Sequence, residues 1–177
     1  MIDLVRDVLE DMNKQLARIE RSLDLLNDDG IWTRLKASMN SIGNLCLHLA
    51  GNEYQNISCA IGNKPFSRER SREFTTDGRI SKEELIVLLR KTRSESELAL
   101  SALSEEDLSR VVTIRYDRED WMRMHRLDSL VEEPCDTRAV GRLLVQVCAH
   151  YGYHAGQIVV LAKSLTETTE HLTGQYH

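Results

Sequence analysis

Eight apolar residues within the first twenty-six positions, Ile2, Val5, Leu9, Met12, Leu16, Ile19, Leu23 and Leu26, recur at alternating steps of three and four. That rhythm lays an apolar seam along one face of a helix, and the face is buried only if other helices pack nearly parallel to it. Two prolines and nine glycines in 177 residues leave room for long uninterrupted helices. Aromatic residues make up only 5% of the chain, so the core has to be built from Leu, Ile, Val and Ala.

The same rhythm returns further on. Asn27-Asp-Asp-Gly30 reads as the stop of the first helix. A second helix is predicted from the mid-thirties to about Ile61, with Met39, Ile42, Leu45, Cys46 and Leu49 facing inward and Gly62 to Pro65 ending it. Residues 62–80 are rich in Arg, Ser, Thr and Asp and read as a long loop. Ser81 and Glu84 form a capping box, in which each side chain satisfies an orphan N–H at the start of a third helix. Its apolar or small face runs through Leu85, Leu89, Thr92, Ser96, Ala99 and Leu103.

Ser104 to Asp107 begins a short turn, and the β-branched run Val111-Val-Thr-Ile114 reads as a short extended piece. Residues 115–136 are highly charged, with Leu127, Leu130 and Val131 as sparse apolar contacts, and read as an insertion. A last helix is predicted from Asp136-Thr137 to about Leu165, its seam passing through Val140, Leu144, Val147, Tyr151, His154, Ile158, Leu161 and Leu165. The expectation is an all-α chain, a four-helix bundle in a single domain over 1–177, with an insertion at 115–136 before the last helix.

A formal charge of −5 argues against a sequence-independent grip on nucleic acid, which needs a clustered basic surface. The arginines of Ser67-Arg-Glu-Arg-Ser-Arg72 are interrupted by acidic residues and read as a solvated loop. The amino terminus has no basic leader followed by a continuous apolar run, and no stretch approaches bilayer-spanning length. Cys46, Cys59, Cys135 and Cys148 form no CxxC pair and read as small buried hydrophobes. A cytoplasmic protein with reduced thiols is expected, without nucleic-acid or membrane partners.

Against this background the histidines stand out. His150 and His154, spaced i,i+4, fall on one face of the last helix, and His154 occupies a seam position where Leu would otherwise sit. The spacing alone is a weak motif, since six histidines give many pairs. A polar side chain in a buried seam is costly unless partnered, however, and that favours a shared ligand. His48 borders the apolar face of the second helix, with Asn44 and Asn52 one turn to either side. Three imidazoles from two helices would hold a divalent ion and leave it an open position. His125, among arginines, reads as a surface histidine.

Asn44-Leu-Cys-Leu-His-Leu-Ala-Gly-Asn52 and His150-Tyr-Gly-Tyr-His-Ala-Gly-Gln-Ile158 together resemble the DinB-like (YfiT-type) family. The likeness covers nearly the whole chain. It implies a four-helix bundle in which one histidine of the second helix and two of the last bind a divalent ion, often zinc or nickel. By that likeness His48, His150 and His154 are the ligands. The charged stretch 115–136 is longer than the family's usual link, which leaves the ligand match intact but does not let the family's pocket mouth be carried over. Some related proteins transfer low-molecular-weight thiols.

Three neutral imidazoles leave a bound ion its full charge, which deprotonates a bound thiol and lowers the pKa of a bound water. The run His-Tyr-Gly-Tyr-His lacks the glutamate of HExxH, which disfavours a peptidase. A metal-dependent thiol transferase acting on a small molecule is therefore the leading reading. The alternatives are a metal-dependent hydrolase with Glu53 as base, or a non-catalytic metal-binding bundle. Asn44, Asn52 and Gln157 are candidates to orient imidazoles or substrate. Tyr151 reads as packing first, with its hydroxyl at the pocket edge. Ala149, Gly152, Gly156 and Lys163 trace another side of the last helix, and a homodimer is expected to cover it.

Overall fold

The computed structural model describes residues 1–129 and 131–172. Leu130, assigned above to the insertion, and residues 173–177 of the expected domain lie outside that range.

Four long helices form the body: α1 (Asp3–Asp24), α3 (Ile42–Glu53), α5 (Lys82–Ser101) and α7 (Val140–Leu165). Helix α1 packs on α7 and α5, and α3 packs on the same two, which closes a four-membered ring around one core. The α1 seam is buried as the spacing requires, through Val5, Leu9, Met12, Leu16, Ile19 and Leu23. Each such side chain contributes roughly 1.5–3 kcal/mol of transfer free energy. In α5 the buried face ends at Leu100 rather than at Ala99 and Leu103, and it includes Arg93.

The capping box of Ser81 and Glu84 forms at the head of α5. An equivalent box, with Ser41 and Asn44, opens α3, so that helix starts at Ile42 and not in the mid-thirties. The helix then continues as a π-helical turn over Tyr54–Cys59, with the Ala60 N–H donating to the Gln55 carbonyl at 3.1 Å. The predicted stop at Asn27 is real but has a second use. Its side chain accepts from the Gly30 N–H at 2.8 Å and starts a short helix α2 (Asp28–Trp32).

Two other loop expectations are corrected. Residues 62–80 contain helix α4 (Arg70–Thr75), packed against α3. The 115–136 insertion is folded as well. Strand β1 (Val111–Arg115) pairs antiparallel with β2 (Cys135–Ala139), and helix α6 (Arg118–His125) lies between them in sequence. Val112 and Ile114 alternate inward from β1, as a half-buried strand requires. The backbone groups of β1 need a partner strand, and 135–139 supply it, so α7 begins at Val140 instead of Asp136. Leu127 and Val131 remain exposed.

Of the four free cysteines only Cys46 is buried, and burial raises its thiol pKa to about 12; Cys59 and Cys148 are half-buried and Cys135 is exposed. No helix among the described residues is long and apolar enough to cross a membrane.

Candidate metal centre

His48 projects from the middle of α3, and His150 and His154 project from successive turns of α7. The packing of α3 on α7 brings the three rings together, with centroids 4.6–4.9 Å apart. One ligand nitrogen from each ring lies within 4.8 Å of the other two, so the group could hold a metal ion.

The tautomers follow from the neighbours. His48 Nδ1 lies 2.9 Å from Glu73 Oε2, on α4, and 3.1 Å from Arg68 Nη2; a carboxylate only accepts, so in the tautomer that uses the Glu73 contact Nδ1 carries the proton and Nε2 is a bare lone pair. Gln157 Oε1 lies 2.7 Å from His154 Nδ1, while its amide Nε2 donates to the Tyr153 hydroxyl at 3.2 Å. That arrangement makes His154 Nδ1 a donor as well and turns its Nε2 bare.

His48 Nε2 faces His150 Nε2 at 3.0 Å, and the buried His150 Nδ1 has no partner among the described residues. A buried polar atom without a partner costs about 1–3 kcal/mol. The two Nε2 atoms can share a proton in a hydrogen bond or both turn lone pairs to a cation between them, and neutral nitrogen donors suit a divalent transition metal. The donor set therefore fits such an ion.

Electrostatics keep the rings neutral. Burial, then the charges of His48 and His154, push His150 down to about 3. Burial also lowers His48 and His154, partly opposed by their hydrogen bonds to Glu73 and Gln157. Neutral imidazole is the form that ligates a metal.

Behind His48 stands a buried polar group that the sequence did not reveal. Arg68 pairs with Glu73 through Nε–Oε1 at 2.6 Å and Nη2–Oε2 at 2.8 Å, and both side chains are nearly solvent-free. Gln55, in the π-helical turn, accepts from Arg68 Nη1 at 2.6 Å and donates to the Arg115 carbonyl. Thus the expectation of a solvated loop at 67–72 fails at Arg68, which is held in the interior. Gly51 makes this possible, because a Cβ there would lie 2.0 Å from Glu73 Oε1 and 2.9 Å from Arg68 Nε.

The remaining sequence candidates are dispersed. Asn44 caps α3 and donates to the Glu73 and Thr76 carbonyls at 3.0 and 2.8 Å, so it anchors α4 and touches no imidazole. Asn52 uses its backbone carbonyl to accept from Asn56 Nδ2 at 2.8 Å, and its side chain makes no hydrogen bond among the described residues. Glu53 is turned into the core, where Arg93 of α5 holds it at 2.8 and 3.0 Å; it is a buried structural partner and not the base of the cluster. Tyr151 is buried to 1% exposure, with the Arg93 guanidinium 4.8 Å from its ring centre. Its hydroxyl has no hydrogen-bond partner among the described residues, and burial raises its pKa. Gln157, by contrast, sits beside His154. His125 is exposed, stacked on Trp121 with centroids 3.9 Å apart.

A cavity of about 660 Å³ opens beside Gln157, lined by Met39, Leu45, Tyr153, Gly156 and Leu161 among others. Its size suits a small organic molecule.

Comparisons agree with this architecture. A family profile described as a protein of unknown function (DUF1572) matches residues 2–173. The crystal structure of a conserved protein from Enterococcus faecalis superimposes with a TM-score of 0.67 at 16% identity, covering 93% of this chain and 98% of that one. A DinB-like protein from Bacillus cereus gives 0.61 at 17% identity, with 89% of each chain covered. No curated protein matches the chain.

Proposed function

The chain belongs to the DUF1572 family and has the DinB-like bundle fold, and from that premise we propose that it is a divalent-metal-dependent enzyme of thiol-transferase type acting on a small molecule. His48, His150 and His154 are the ligands, and zinc or nickel is the ion. The observation that carries the reading is the convergence of three neutral imidazoles from two helices, with two of them oriented through Nδ1 by Glu73 and Gln157. An ion held there supplies positive charge that favours the thiolate form of a thiol substrate.

The chain's own residues do the rest. Glu73 and Gln157 fix the ring orientations, and burial keeps the imidazoles unprotonated. Hydrolysis needs a general base within reach of a water. Glu53 is bound to Arg93, and Glu73 is bound to Arg68 and His48. Neither carboxylate is free to serve, which favours a thiol substrate that needs no such base over the hydrolase alternative.

Reduced cysteines fit a cytoplasmic setting. The face of α7 bearing Val145, Ala149, Tyr153, Gly156 and Val160 is exposed, and a second copy of this chain is its proposed cover. The test of the metal site is analysis of untagged protein. Wild type is expected to carry one divalent ion per chain, with single His→Ala variants losing it while retaining helical circular dichroism. Stoichiometric metal in the double variant His48→Ala, His150→Ala overturns the ligand assignment.

A further inference from the structure

Helices α3 and α5 each present a second stripe of residues besides the one that builds the core. On α3 it runs through Leu47, Ala50, Gly51 and Tyr54, and on α5 through Leu88, Lys91, Thr92 and Glu95. Both sets are spaced i, i+3, i+4, i+7, so each lies along one helix face. The two helices pack together, and the chain between Lys64 and Ile80, which includes α4, closes a third side. A cleft of about 520 Å³ remains between them, a size that suits a small organic molecule. None of the three clustered histidines lines it. The Arg68–Glu73 pair forms the wall nearest them, with Glu73 Oε2 2.9 Å from His48 Nδ1.

The charges of the lining do not cancel. Each of its carboxylates already faces a cation: Glu69 meets Arg72 at 2.6 Å, Glu73 meets Arg68 at 2.6 Å and Glu95 meets Lys64 at 3.0 Å. Lys91 is the lining cation left without an ion pair among the described residues, so the cleft carries one positive charge in excess. The next residue, Thr92, is only 5% exposed, and its hydroxyl makes no hydrogen bond among the described residues. A nearly buried hydroxyl is costly unless something in the cleft satisfies it. Helix α5 thus offers an unpaired ammonium and an unused hydroxyl side by side. The apolar part of the wall is aliphatic, made by Leu47, Ala50, Ile80 and Leu88.

We propose that this cleft binds a small amphipathic carboxylate. The carboxylate accepts from the Lys91 ammonium and the Thr92 hydroxyl, and an alkyl chain covers the aliphatic wall. One negative charge cancels the surplus at Lys91, whereas a second would approach Glu69 and Glu95. The site is separate from the histidine cluster and does not depend on a metal there.

Isothermal titration calorimetry with octanoate and with neutral 1-octanol, each with and without a chelator, tests the site. Octanoate is expected to bind more tightly than 1-octanol by on the order of tenfold, with or without chelator. Lys91→Gln removes that preference while keeping 1-octanol binding, and Thr92→Val weakens octanoate severalfold without lowering the urea midpoint. In nitrogen-15 NMR, octanoate should shift the amide signals of Ala50, Gly51 and Thr92. Equal affinity for the two probes in wild type, or a preference that survives Lys91→Gln, overturns the proposal. So does an octanoate affinity unchanged in Thr92→Val, or the absence of heat and of amide shifts at millimolar octanoate. Binding abolished by chelator, or shifts centred on His150, His154 and Gln157, would move the carboxylate to the histidine cluster and overturn it as well.

Discussion

The Glu73 carboxylate lies 2.9 Å from His48 Nδ1 and is itself gripped by Arg68 at 2.6 and 2.8 Å. This one contact sets which nitrogen of His48 faces His150 and His154. It also ties the candidate centre to a helix that the sequence alone presents as a loop.

Glu73→Gln should therefore weaken metal binding without abolishing it. Loss of a carboxylate that orients a ligating imidazole lowers affinity by roughly ten- to a hundredfold. Competition with a chromophoric chelator reads the change directly. Wild-type affinity in this variant would mean that His48 is oriented by something else.

Glu53→Gln should act on stability and spare the metal. Its partner Arg93 would be left charged in the core, and breaking such a pair costs about 3–5 kcal/mol. Arg93 keeps its contact with Asn13 Oδ1 at 2.6 Å and its place over the Tyr151 ring, but it loses its charged partner. A clear drop in the urea midpoint with full metal content is the expected result. Lost metal at unchanged stability would instead restore Glu53 to the site.

Metal-free protein should lose stability as pH falls. His150 has a folded pKa near 3 against 6.5 for the free group. Above the unfolded value both states are neutral and the full stability is present. Below it the unfolded chain takes up a proton that the folded chain refuses, so stability declines until the folded value is reached. The lowered His48 and His154 add to the same slope. Urea midpoints between about pH 7.5 and about pH 5 test this window, and His150→Gln should flatten the dependence. Equal slopes in wild type and variant would rule it out.

A Cβ added at Gly152 or Gly156 meets nothing within 4 Å among the described residues, so neither glycine is needed for packing against the other helices. Light scattering at micromolar concentration should report a dimer, and Gly156→Arg should shift it toward monomer. A monomeric wild type removes the second copy from the proposal.

The sequence by itself determined the four helices, because a three-four alternation of apolar residues buries only as packed helices, and the α1 and α7 seams are buried from Val5 to Leu23 and from Val140 to Leu161, with His154 half-buried. It also singled out His48, His150 and His154, since polar residues in or beside apolar seams signal themselves by their cost. Gln157 was legible too, one turn from His154. The partners of His48 were not. Arg68 and Glu73 sit in a polar run with no periodicity, and their burial depends on Gly51 leaving space on α3 and on Asp120 reaching across from α6. Glu53, five residues after His48, looked available as a base until the packing of α5 placed Arg93 against it. Helical spacing is a local property fixed by 3.6 residues per turn, whereas which charges meet across helices depends on how the helices pack, and only the tertiary structure decided that.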